Sequence, residues 1–309
     1  MVKAPTENNA LSLPPKSLGK REFRTSPIFV VLFIILAVYT VAMFALLVWA
    51  VLNSLKSQLD FRKNVLGLPH AIAWDNFSTV LSKFEMIVNT KDSSKTINFW
   101  QMLLYTILYA GGCAFISTMV PCAVAYVTAK IKFKFNAVIY GIVIVAMVLP
   151  IVGSAPSEMK ILKDLGLYNT LWGSWIQKFH FLGMYFLVFY AAFKSFPDTF
   201  TEAAYMDGAG EWRTFLQVVM PLVRNIFFTI LLIKFIDYWN DFQTPLLYIP
   251  SYPTLAVGLY TIGNSTLGAL SWVPRKLAAC IIILMPIMVL FLIFKDKLMG
   301  NLTVGGIKG

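Results

Sequence analysis

Between residues 28 and 52 this chain carries no aspartate, glutamate, lysine or arginine. About 20 consecutive apolar residues suffice to cross the hydrocarbon core of a bilayer as a helix. In that medium each backbone polar group needs a partner inside its own segment or in a closed barrel. Comparable apolar runs recur at 99–129, 136–153, 181–193, 226–248 and 277–294. Composition agrees, with 58% of the 309 residues hydrophobic and only 13% charged, against about 25% charged in soluble domains. The expected fold is all-α, a polytopic membrane protein with six transmembrane helices. A tail of residues 1–26 precedes a transmembrane domain of residues 27–309. The run at 181–193 reaches spanning length only if residues 175–180 extend it, with Lys178 snorkelling to the interface. A re-entrant helix is the alternative there.

The formal charge is +11, and its distribution matters more than its size. Lys130, Lys132 and Lys134 crowd the tight link between the second and third runs, and Lys3, Lys16, Lys20, Arg21 and Arg24 mark the N-terminal tail. Short basic loops stay on the cytoplasmic side, so both termini are expected there. Residues 56–98, 154–174 and 249–275 then face outward, and residues 195–221 face the cytoplasm. The tail is polar and proline-spaced and has no A-x-A-like site after the first apolar run, so no cleaved leader is expected.

Several chemistries find no support. No soluble stretch holds a basic patch with interleaved aromatics, which argues against a nucleic-acid partner. Cys113, Cys122 and Cys280 all lie in apolar runs and form no CxxC, so neither a disulfide framework nor a metal site is indicated. His70 and His180 stand alone, without HExxH or a cysteine partner. Gly19–Lys20 lacks the upstream glycine of a phosphate-binding loop, and no nucleophile elbow occurs. The chain reads as a non-enzyme with no cofactor of its own.

The stretch "SFPDTFTEAAYMDGAG" (residues 195–210) is a polar, acidic island between apolar runs. Pro197 suits a first helical turn, and Asp198 complements the positive end of the helix dipole. Residues 199–206 read as a short helix in which Ala203 and Ala204 are strong formers with low profiles. Gly208 permits a sharp turn and close approach of another backbone. Glu211 opens a second helix through Trp212, Phe215 and Val219 that ends near Pro221. The product is a compact knob, with Glu202 and Asp207 offering charge to a basic partner. An ordinary solvated loop is the competing reading.

The stretch "EAAYMDGAGEWRTFLQVVMPL" (residues 202–222) resembles the EAA signature of ABC-importer permeases, with Met220 where leucine is usual before Pro221. "WNDFQTPL" at 239–246, "TLAVGLY" at 254–260 and the C-terminal "VGGIKG" at 304–309 are similar to the carbohydrate branch, the maltose-type second permease subunit. The likeness runs from about Trp74 onward, and residues 1–25 have no counterpart. It implies the type I importer permease fold in a bacterial or archaeal cell (inner) membrane. It also implies a second permease subunit, a cytoplasmic ATPase dimer that binds ATP and Mg, and an extracellular solute-binding protein that delivers a sugar. On this resemblance the island is the coupling segment, with Glu202, Ala203, Ala204, Asp207 and Gly208 docking in the ATPase groove. Residues 263–268, with Gly263, Asn264, Ser265, Thr266 and Leu267, form a loop reaching the binding protein, and the 305–309 tail adds an ATPase contact. A permease for a non-sugar solute, or a stand-alone channel, are the alternatives.

The fifth run holds unusual chemistry. Lys234 lies ten residues beyond Arg224, roughly 15 Å deeper along a helix. Asp237 follows at i+3 and Asp241 at i+7 on one helical face. Charges at such depth usually face a cavity or a partner. Tyr238, Trp239 and Asn240 add a stacking surface and hydrogen-bonding groups suited to a sugar. The competing readings are a Lys234–Asp237 pair that only holds the bundle together, and a Trp239 that only packs.

Overall fold

The computed structural model describes residues 27–90, 93–149 and 153–302. The 1–26 tail and the 304–309 motif lie outside the described residues. The chain divides into two units, residues 1–48 and 49–309. The first contains the charge-free turns of α1 (Pro27–Ser54), apolar on every side, as a helix bathed in lipid must be.

The second unit begins with a polar knot. Asn76 donates to the carbonyls of Ser54 and Lys56, both at 2.8 Å, and Lys56 Nζ donates to the Asn64 carbonyl at 2.6 Å. This ties the end of α1 to α2 (Gln58–Lys63) and α3 (Asp75–Lys83). Strands β1 (Glu85–Thr90) and β2 (Ser93–Asn98) follow as an antiparallel hairpin, with Met86 opposite Ile97 and Val88 opposite Lys95. The hairpin departs from the all-α expectation. Its buried Val88 and Ile97 join a cluster with Phe84, Phe99 and Met102, so packing against a helical body supports strands too short to stand alone.

Asn98 then starts α4 (Phe99–Lys130) with a reciprocal capping box to Gln101. At 32 residues α4 is about 48 Å long, and several helices of this unit pack along it. Near its start Phe99, Met102 and Ala110 meet Trp239, Leu255 and Ala278. Near its end Cys122, Ala125 and Tyr126 meet Phe186, Phe189, Phe193 and Phe215. Around it stand α5 (Asn136–Val148), α6 (Ala155–Asp164), α7 (Leu171–Gln177), α8 (Met184–Ser195), α9 (Thr199–Met206), α10 (Glu211–Asn240), α11 (Gln243–Tyr248), α12 (Leu255–Asn264) and α13 (Val273–Leu302).

Among the described residues four helices are long and apolar enough to cross a bilayer: α1, α4, α10 and the Val273–Lys295 part of α13. The expected third and fourth spans are shorter. Helix α5 has 13 residues and α8 has 12, so they reach about 20 and 18 Å of the roughly 30 Å hydrocarbon core. Residues 175–180 do not lengthen α8, because they end α7 and Gly183 at φ 123° breaks the chain direction. The fifth span is displaced toward the N-terminus. Helix α10 starts at Glu211, passes Pro221 without stopping and ends at Asn240. The expected stop at Pro221 is avoided by a π-turn at Thr214–Val219, where the Met220 N–H bonds to the Phe215 carbonyl. This wider turn precedes a residue that has no N–H to give.

Candidate functional site

Helix α9 matches the short helix expected from the island, and its termination is specific. The Ala209 N–H bonds to the Ala204 carbonyl at 2.9 Å and the Gly208 N–H to that of Tyr205 at 3.0 Å. Gly208 sits at φ 75°. These are the two bonds of a Schellman motif with glycine at the left-handed position. A Cβ on Gly208 would meet nothing within 4 Å. The glycine is therefore demanded by backbone conformation, not by crowding inside this chain.

The two faces of α9 differ. Thr201 and Ala204, three residues apart, turn inward, with Ala204 only 8% exposed. This corrects the expectation that Ala204 offers a docking surface, since its small side chain lets α9 lie close on the body. The outward face carries Phe200, Glu202, Ala203 and Met206, the last 88% exposed. Among the described residues neither Glu202 nor Asp207 has a hydrogen-bonding or ion-pair partner in its side chain. Phe200 and Met206 were not singled out from sequence, because two apolar residues in a polar island read as helix interior until their direction is known.

Both ends of α9 are tied to long helices. Lys130, the last residue of α4, donates from Nζ to Asp198 Oδ1 and to the Phe196 carbonyl, each at 2.6 Å. This bond holds the Asp198 carboxyl below its ordinary value. At the other end the Tyr205 hydroxyl donates to Glu211 Oε2 at 2.8 Å, in the first turn of α10 and beside Tyr126 of α4.

The second group lies far along α4 and α10. Lys234 Nζ is 3.7 Å from Asp237 Oδ2 and lies over the rings of Tyr185 and Tyr238, at 4.7 and 6.0 Å from their centroids. Lys178 approaches the Tyr238 ring at 5.6 Å. The Lys234–Asp237 pair therefore forms on one face as expected, and two lysines flank the same tyrosine. Three other members of the expected pathway are occupied elsewhere. Trp239 is 2% exposed and donates to the Ile283 carbonyl at 3.3 Å, a packing residue with no free stacking face. Asn240 is exposed, but its amide donates back to the Ile236 carbonyl at 2.9 Å. Asp241 does not share the Lys234 face, because α10 ends at Asn240 and the backbone turns. Its carboxylate accepts from the Tyr109 hydroxyl at 2.9 Å and the Thr244 N–H at 3.1 Å.

In the expected binding-protein loop, Gly263 and Asn264 still belong to α12. Lys276 holds the Gly263 and Ser265 carbonyls at 2.9 and 2.8 Å, which leaves Thr266 and Leu267 projecting, Leu267 84% exposed. His70 is not isolated as its sequence suggested: its Nδ1 is 2.7 Å from Asp60 Oδ1. Among the described residues no group of three or more histidine, cysteine or acidic side chains could hold a metal ion.

Known proteins bear on this arrangement. The diacetylchitobiose uptake system permease protein NgcG of Streptomyces coelicolor is 22% identical, covering 88% of this chain and 86% of that protein. The sulfoquinovosyl glycerol transport system permease protein SmoH of Agrobacterium fabrum is 26% identical over 85% of this chain and 88% of its own. The trehalose/maltose transport system permease protein MalG of Thermococcus litoralis is 26% identical over 70% and 78%. In fold, the chain is similar to one in the crystal structure of a bacterial ABC transporter involved in import of the acidic polysaccharide alginate. That match has a TM-score of 0.69 at 22% identity and covers 88% of this chain and 97% of the other. Residues 117–299 match the family described as the binding-protein-dependent transport system inner membrane component. With well over half its length matched, from the middle of α4 through most of α13, this chain belongs to that family.

Proposed function

We propose that this chain is one permease subunit of an ATP-driven ABC importer. With a second permease chain it encloses the membrane pathway for a sugar or oligosaccharide delivered by an extracellular solute-binding protein. The observation that carries the reading is α9, an exposed helix ending in a Schellman turn, with Glu202 and the adjoining Asp207 unpaired among the described residues, and bonded at each end to a different long helix. A stand-alone channel has no use for such a knob. The chain has no phosphate-binding loop, so ATP and Mg belong to a cytoplasmic ATPase dimer that receives α9. Sugar is favoured as the solute because relatives matched along most of this chain are named for saccharide uptake. On this reading both termini and α9 lie in the cytoplasm, as the basic link at Lys130, Lys132 and Lys134 supports, and residues 263–268 face outward toward the binding protein.

The test is purification from its native membrane followed by uptake. A P-loop ATPase and a second permease chain should co-purify, and proteoliposomes containing them should accumulate labelled saccharide only with ATP inside and binding protein outside. Accumulation of a non-sugar solute instead would retain the importer and replace the substrate. Saccharide flux without any ATPase would overturn the importer.

A further inference from the structure

We propose that Lys130 is the positioning residue through which movement of α9 reaches the membrane helices, a rigid latch between the docking knob and α4. The inference rests on the importer reading above.

Three observations carry it. The first is that Asp198 occupies the N-cap position of α9 but makes no capping bond with its side chain. Aspartate is among the preferred residues there because its carboxylate can accept from the free N–H groups of the first turn. Here the carboxylate turns to Lys130 instead. The second is that the Lys130 side chain is only 7% exposed, and its acceptors are the Asp198 carboxylate and the Phe196 carbonyl, on the segment entering α9. The Asp198 carboxylate is itself 66% exposed, so the ion pair alone contributes little; the hold comes from the covered ammonium, which the Phe196 carbonyl and the carboxylate satisfy together. Lys132 and Lys194 also face Asp198 but bond to it in neither case. The third is that the far end of α9 is tied to α10 through Tyr205 and Glu211. The knob is therefore bolted to two helices, and a rocking of α9 must displace α4 against α10.

Those two helices meet again at a place where displacement has consequences. Tyr109 lies 21 residues before Lys130 on α4, about 31 Å away along the helix, with Pro121 between them as the one interior proline of α4. Its hydroxyl bonds to Asp241 just past α10, and its ring packs edge-on against Tyr238 at 6.1 Å. Tyr238 is the ring flanked by Lys178 and Lys234. A shift of α4 applied at Lys130 thus has a continuous helical route to the charged cluster, past Pro121 and through no loop.

The experiment uses the whole complex in proteoliposomes and reads saccharide taken up per ATP hydrolysed. Lys130→Met keeps length and apolar volume but removes the charge. The complex should assemble and hydrolyse ATP while the uptake-to-hydrolysis ratio falls about tenfold, within the usual range for loss of an allosteric coupling. Lys130→Arg should restore the ratio, and Lys130→Asp with Asp198→Lys should restore part of it. If Lys130→Met lowers assembled complex, uptake and hydrolysis together at an unchanged ratio, the residue only stabilises the fold and the latch is overturned. An unchanged ratio in well-assembled Lys130→Met and Asp198→Asn complexes would overturn it equally. A wild-type complex that moves no saccharide with ATP would instead overturn the importer reading.

Discussion

Gly208 shows how much one residue can decide. At φ 75° a side chain costs roughly 1–2 kcal/mol, so Gly208→Ala should shorten or fray α9 without touching the membrane helices. Gly208→Trp adds bulk where the space in this chain is open. It should leave insertion intact and uncouple hydrolysis from uptake by holding the ATPase away. Unchanged values for both would remove the docking role from this turn. For Asp198 the sign of pH dependence follows from its lowered value. The bond with Lys130 contributes fully above the unfolded carboxylate value of about 3.9 and is lost as pH falls through the lower folded value. The uptake-to-hydrolysis ratio should accordingly show no step from this pair between about pH 5 and 8. Lys234 and Asp237 make a different case. Both residues lie in the last two turns of α10, which ends at Asn240, so an unpaired charge there costs less than the roughly 2.5–3.5 kcal/mol of a helix centre; Lys234→Met and Asp237→Asn should each still reduce assembly and uptake, and the double variant should restore assembly. Uptake recovers with it if the pair is purely structural, and stays low if either charge lines the pathway. Normal transport by both single variants would exclude both roles.

Elements depend on contacts that local pattern does not carry. Gly112 on α4 lies under the indole of Trp175 from α7, whose Nε1 donates to the Leu108 carbonyl at 3.1 Å. A Cβ at Gly112 would fall 2.1 Å from that ring, so the glycine is there for close helix approach. Gly112→Leu should push α7 off α4 and cost about 1–3 kcal/mol as overpacking, measured as earlier thermal inactivation of the detergent-solubilised complex; unchanged inactivation would mean that α7 repacks freely. Helix α9 was legible in the sequence to the residue because proline, two alanines and glycine are local signals. The hairpin was not, because its strands gain stability from Phe84, Phe99 and Met102. The passage of α10 through Pro221 was not legible either, since proline is a local stop signal and the π-turn at Thr214–Val219 that compensates for it has no local sequence signature.

At the scale of the whole molecule, the placement of the loops can be checked directly. Single cysteines at Thr266 and Leu267, in a background lacking Cys113, Cys122 and Cys280, should react with an impermeant maleimide added outside. A cysteine at Met206 should react only after the membrane is opened, and the reverse pattern would invert the topology. Deleting residues 264–267 should weaken delivery from the binding protein while insertion persists, since the Gly263 carbonyl that Lys276 holds remains although that of Ser265 is lost. What the sequence determined by itself was the solvent and the periphery. Long apolar runs read as membrane spans, four of which are helices long enough to cross among the described residues, and α9 is written in residues that act on their immediate neighbours. What only the tertiary structure decided was which charges are already paired. Asp241 is bonded to Tyr109, 132 positions earlier, and Trp239 to Ile283, 44 positions later. Lys130 is bonded to Asp198 across 68 residues. Sequence spacing places groups on one helical face, but partners on other helices are brought near only when the bundle closes, and where such a bond is buried, as at Trp239, it is costly to leave unmade.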